Sequence, residues 1–212
     1  MRAALDKLIS WTGLALAAVL LIAGGLLTWA NTFIADQVDQ QLSAQDITMP
    51  EGEALASLPD ADRAALEEYA GSALDSGPEA KAYADHYILA HMNAQGAELN
   101  GGDPVTYEEA SGKGRELSAA VAENPAATQA QIDEADAWMG LRESLFMGNT
   151  LRGLLLYGYA FATIGTIAGI AAIVAFVGGG ALVLLFGLGI WHARRATRTS
   201  AVGVGGAVGQ PA

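Results

Sequence analysis

A chain of 212 residues that is 52% hydrophobic, with a mean hydropathy of +0.29, is too apolar for an ordinary soluble protein of its size. The apolar residues gather in two blocks, Leu8–Trp29 and Gly153–Trp191, which excludes both a single globular enzyme around one large core and a many-span transporter folded from one copy. Of the 23 acids, 22 lie between Asp36 and Glu143 against five bases, so that stretch is near −17 while the rest of the chain is net basic. A middle so acidic repels phosphate backbones and argues against nucleic acid as a partner. Without cysteine there is no disulfide framework, no thiolate nucleophile and no cysteine-based metal site.

Leu8–Trp29 carries no charge; as a helix it measures about 33 Å, close to the ~30 Å hydrocarbon layer. Trp11 and Trp29 stand near its ends, where amphipathic rings favour the interface. Arg2 and Lys7 precede it, and basic residues beside a first span stay in the cytoplasm, which sends the following chain outside. A cleaved signal peptide is the competing reading, but its apolar region is normally only ~7–15 residues and Thr28–Ala30 is a mediocre cleavage site. Residues 1–7 are therefore expected to be cytoplasmic and residues 8–30 to form the first transmembrane helix.

Residues 31–150 are expected to form an acidic, helical extracytoplasmic domain. Ile34, Val38 and Leu42 recur at i, i+4, i+8 and predict that the first helix continues outward, to be broken at Asp46–Pro50. Ser57-Leu-Pro-Asp60 reads as a helix start for Arg63–Leu74, with Leu66, Tyr69 and Leu74 apolar. Ser76-Gly-Pro-Glu79 is a capping box opening Ala80–Gln95. After the loop Gly101–Pro104, Thr106-Tyr-Glu-Glu109 caps a segment that ends at Asn124-Pro125. Ala126–Asn149 then carries a helical stripe of Ile132, Ala135, Trp138, Met139, Leu141, Leu145 and Phe146 running into the second apolar block. Nothing alternates in the manner of a strand, and the alanine-rich helices predict a thin core.

The second block, near 58 Å if helical, overshoots one bilayer, yet a turn at Gly178–Gly180 would leave only about 17 Å for a return. Arg194, Arg195 and Arg198 follow it, and an even number of crossings puts them on the same side as the basic N-terminus. Residues 167–191 are accordingly expected to be the second transmembrane helix and 151–166 a membrane-proximal helical segment. Tyr157, Tyr159 and Phe161 would mark the outer interface, and Trp191 and His192 the inner one. Residues 192–212 form a cytoplasmic basic flank and a flexible tail, the tail beginning at Thr199. No charged residue lies within either crossing, which argues against a proton or ion path. Gly165, Gly169 and Gly178–Gly180 would allow close helix packing, with each other or with another copy.

Chemistry is sparse. His86 and His91 share one predicted helix at i, i+5, about 140° apart around its axis, whereas a helical metal pair wants i, i+3 or i, i+4. They are the weak alternative for a metal site; the plain reading puts Tyr83, Tyr87, Ile88 and Met92 in a core stripe with the histidines at its edges. Asp133, Glu134 and Asp136 lack the alternating loop that calcium needs and read as a solvated helix face. Gly112-Lys-Gly114-Arg lacks the spacing and hydroxyl of a phosphate loop. No catalytic residue and no cofactor are assigned.

The stretches Asp46-Ile-Thr-Met, Ala82-Tyr-Ala-Asp-His-Tyr-Ile, Glu143-Ser-Leu-Phe-Met-Gly-Asn-Thr-Leu-Arg-Gly-Leu-Leu-Leu and Trp191-His-Ala-Arg-Arg, in this order, resemble a group of two-span envelope proteins of high-GC Gram-positive bacteria that often carry the label aromatic ring-opening dioxygenase. The resemblance covers most of the chain from Leu8 to Arg195 and implies a multi-pass cell-membrane protein; it does not imply a mechanism, and no well-spaced iron triad can be laid on these residues. The expected fold is all-α, with two transmembrane helices flanking an acidic helical extracytoplasmic domain and both termini cytoplasmic. Three functions follow as expectations: a non-catalytic envelope protein engaging a membrane-protein partner or a second copy, a membrane-tethered metal-dependent oxygenase using His86 and His91, and an exported ligand-sensing module.

Overall fold

The computed structural model describes residues 2–205, and the fold there is all-α, without a strand among the described residues. Two helices are long and apolar enough to cross a membrane. The first, α1, runs Arg2–Ser43. Its threonine hydroxyls bond back within the helix, Thr12 Oγ1 donating to the Leu8 carbonyl at 3.0 Å and Thr28 Oγ1 to that of Gly24 at 2.8 Å. The last, α7, runs Gln129–Gly205. It opens on a capping box that the sequence reading passed over: the Gln131 side-chain oxygen accepts from the Thr128 N–H and hydroxyl at 3.0 and 3.1 Å.

Gly178–Gly180 lie inside α7 and make no turn, so the block 153–191 does not double back. Each glycine costs the helix about 1 kcal/mol relative to alanine, too little to end a helix already propagating through apolar neighbours. For the same reason the irregular tail expected from Thr199 is helical as far as Gly205; its remainder, 206–212, lies outside the described residues.

The chain divides into two compact units. In the first, the stretch of α1 through Phe33 lies antiparallel to that of α7 from Ile164. Small residues let the backbones approach: a Cβ on Gly24 would sit 3.1 Å from the Phe176 ring, and one on Gly179 would sit 3.0 Å from the Leu21 side chain and 3.3 Å from the Ala17 carbonyl. Asn31 Nδ2 donates to the Gly165 carbonyl at 2.8 Å. The expected small-residue packing is thus between the two apolar helices of one chain.

The second unit, Ile34–Thr163, adds five short helices: α2 Gly52–Ala56, α3 Asp60–Leu66, α4 Gly77–Ala82, α5 Leu89–Leu99 and α6 Tyr107–Glu123. One core cluster gathers Leu42, Met49, Leu66, Leu74, Ala80, Ala84 and Leu155; a second gathers Met92, Val105, Ala110, Trp138, Leu141 and Leu145. Two local expectations are corrected. Ser57 does not start a helix but closes α2, its hydroxyl donating to the Ala54 carbonyl, and α3 stops at Leu66 rather than Leu74. The chain then makes a 3-10 turn over Glu67–Tyr69 and turns back at Gly71 (φ 73°), which brings Ala73 to bridge Thr48. Backbone pairing there wins over the helical spacing of Tyr69 and Leu74. Phe146, placed in the core stripe by its spacing, is 58% exposed, while its neighbour Leu145 takes the buried position.

Candidate functional site

The predicted helix over Ala80–Gln95 is interrupted by a π-helical turn, Tyr83–Ile88, between α4 and α5. π-turns recur at functional sites because they cost helix geometry and re-aim side chains. Here the Leu89 N–H reaches back five residues to the Ala84 carbonyl, which also accepts from Arg152 Nε at 2.9 Å. Arg152 Nη2 donates to Asp85 Oδ1 at 3.0 Å, and Lys81 Nζ donates to Asp85 Oδ2 at 2.9 Å. The Lys81 ammonium also lies 5.8 Å from the centre of the Tyr159 ring. Burial pushes the Asp85 carboxyl up, but the two cations beside it outweigh that and hold it below its ordinary value; the Asp85 hydrogen bond raises the Lys81 ammonium.

Tyr83, Tyr87 and His91 form a ring column along the same segment, with centroids 4.8 and 4.4 Å apart. Burial raises the Tyr83 phenol above its ordinary value. The two histidines point to separate tasks. His86 Nδ1 is 2.9 Å from Asp62 Oδ1 on α3, while exposed His91 has Nδ1 2.8 Å from the Tyr87 carbonyl. The π-turn also invalidates the α-helical angle by which their spacing was judged. Among the described residues, no three of histidine, aspartate and glutamate are grouped to hold a metal ion.

The two capping boxes read from sequence are present. The buried Glu79 carboxylate accepts from the Ser72 hydroxyl at 2.8 Å, the Asp75 N–H at 3.2 Å, and the Ser76 N–H and hydroxyl at 3.0 and 2.8 Å. Burial raises this carboxyl, and the hydrogen bonds bring it below its ordinary value. Asp133, Glu134 and Asp136 are exposed, and Gly112–Arg115 lies within α6.

Sequence reasoning missed Arg152, although it is the single Lys, Arg, Asp or Glu between Glu143 and Arg194. A lone charge in an apolar run signals a partner elsewhere in the fold. The chemistry of this hub is that of a fastener: its cations and carboxylate are spent on one another and on backbone.

Within this unit, α7 exposes a mostly apolar side, interrupted by Thr150. Met147, Leu154 and Phe161 recur every seventh residue, with Phe146 and Tyr157 beside them, and Tyr157 is 67% exposed. Tyr107 on α6 reaches Phe146 at 6.0 Å between ring centres, and the two border a groove with Met139, Gly140, Arg142 and Glu143. No protein-family model, curated protein or solved structure matches this chain.

Proposed function

We propose that this is a non-catalytic membrane protein whose acidic helical domain stands outside the membrane, tethered at both ends, and binds a helix of a partner membrane protein or of a second copy. The outward face of α7 carries this reading. An apolar row at seven-residue spacing, Met147, Leu154 and Phe161, flanked by Phe146 and Tyr157, is the pattern with which one helix packs along another. The ionic hub at Arg152 stands apart from that face in function, because its groups already satisfy each other. The basic residues at both chain ends support cytoplasmic termini.

A photo-crosslinking residue at Leu154 or Tyr157, activated in native membranes, is expected to trap one discrete adduct, whereas the same residue at exposed Glu134 traps none. A chain that stays monomeric at both positions counts against partner binding. Sidedness is read separately, since the chain has no cysteine: Asp60→Cys is expected to react with an impermeant maleimide on intact cells, and protection until lysis would reverse the topology.

A further inference from the structure

The antiparallel pairing of α1 and α7 brings two basic segments, far apart in sequence, to one end of the helical pair. Register fixes this: a Cβ on Gly189 would lie 2.6 Å from the Ser10 hydroxyl oxygen, and the Trp11 and Phe186 rings meet edge to face at 5.7 Å. From that level, Lys7 lies about one turn further out along α1, and Arg194 and Arg195 lie between one and two turns further out along α7. All three are exposed, and the Arg195 guanidinium lies 5.7 Å from the centre of the Trp191 ring. Asp6 is the one acid in the sequence on either flank.

At the same end the two helices leave a groove of about 550 Å3. Its walls are mostly apolar, formed by Ile9, Gly13, Leu182, Leu185, Phe186 and Leu188 with Ser10 among them, and His192 lies nearest the basic end. Gly13 lines it without a side chain, and a Cβ there would meet nothing within 4 Å. Cations at the mouth of an apolar groove match one class of ligand, an amphiphile with an anionic head and a hydrocarbon tail.

We propose that this groove binds an anionic phospholipid of the bilayer, one acyl chain lying along the Gly13 wall and the phosphate facing Lys7, Arg194 and Arg195. The site rests on the reading that α1 and α7 cross the membrane. The full chain, in mild detergent, is titrated with phosphatidylglycerol or phosphatidylcholine and bound lipid is counted by native mass spectrometry. Phosphatidylglycerol is expected to be retained preferentially. The variant Lys7→Gln/Arg194→Gln/Arg195→Gln should lose that preference, by about fivefold for each cation, while Gly13→Leu, which puts a side chain into the groove at a position where a Cβ meets nothing within 4 Å, should lower retention of both lipids. Equal retention of the two lipids by the unaltered chain, or a preference that neither variant changes, overturns the site. Alkaline extraction of membranes separates the two failures: a chain released by alkali overturns the crossing itself, whereas one that resists alkali but shows no preference overturns only the lipid site.

Discussion

Arg152 and Asp85 meet at 3.0 Å across 67 residues of sequence, and the same guanidinium caps the carbonyl of Ala84 at 2.9 Å. The pair ties α7 to the π-turn at the point where a regular helix would have left Ala84 differently bonded. Arg152 is 20% exposed at its side chain and Asp85 is 25% exposed, so water screens the pair only in part, and both ends of the fork are used.

Arg152→Met should therefore lower the stability of the acidic domain by roughly 2–3 kcal/mol, because it leaves a partly buried carboxylate with Lys81 alone and removes a donor from Ala84. Arg152→Lys keeps the charge but cannot make both bonds, and its loss should be intermediate. Thermal unfolding followed by circular dichroism in detergent should show Tm falling by about 5–10 °C for the methionine variant. An unchanged Tm would mean that the fork is ornamental.

The carboxyls of Glu79 and Asp85 titrate below their ordinary values of 4.5 and 3.8 in the folded chain. Their contribution to stability is complete at neutral pH and fades as pH falls past those ordinary values through the depressed ones. Lys81 has the opposite sense: raised above 10.5, its contribution persists through neutral pH and is lost only as pH climbs through that raised value. Asp75, raised chiefly by burial and by Glu79 beside it, gains from protonation and offsets part of the acid loss. Stability measured from pH 7 to pH 3 should fall, less steeply in Asp85→Asn and more steeply in Asp75→Asn. A flat acid limb in the unaltered chain would contradict both shifts.

Local signals were the legible ones. Ser76 with Glu79, and Thr106 with Glu109, close their capping boxes within one turn, and three residues suffice to recognise them. The apolar helices were readable because length and lack of charge decide them. The Arg152–Asp85 tie was not, since no local pattern pairs residues so far apart, although the isolation of Arg152 marked it as needing a partner. Nor was the π-turn, whose extra residue shifts Tyr83–Ile88 off the α-helical angle without any change in composition. Thr128 with Gln131 shows that even a local box is missed when a proline and two alanines precede it.

Glycines in the acidic domain should separate by what surrounds them. A Cβ on Gly77 would collide with that of Ala162 and lie 3.3 Å from the Tyr159 Cα, and one on Gly96 would lie 2.7 Å from the Val105 nitrogen. Neither neighbour yields without moving backbone, so Gly77→Ala and Gly96→Ala should each cost about 1–3 kcal/mol. Gly112 and Gly140 meet nothing within 4 Å, and alanine there should add about 0.5–1 kcal/mol through helix propensity. Chemical denaturation of the four variants gives the ranking, and a stable Gly77→Ala protein would show that the contact with α7 is looser than drawn.

The pairing of the two apolar helices yields to direct chemistry. A Cβ on Gly189 would lie 3.8 Å from that of Ser10, within the ~3.5–4.5 Å that a disulfide requires. In Ser10→Cys/Gly189→Cys the only two thiols would face each other, because the chain has no cysteine of its own. Mild oxidation in membranes should join them within one chain, shifting its mobility on a non-reducing gel without producing a dimer. Moving one thiol by about half a turn, as in Ser10→Cys/Gly187→Cys, should reduce the yield, because position 187 faces away from α1, where a Cβ would meet nothing within 4 Å. Cross-linking that is equal at every position, or found only between chains, would place the two helices in separate molecules and undo the antiparallel register on which the lipid groove depends.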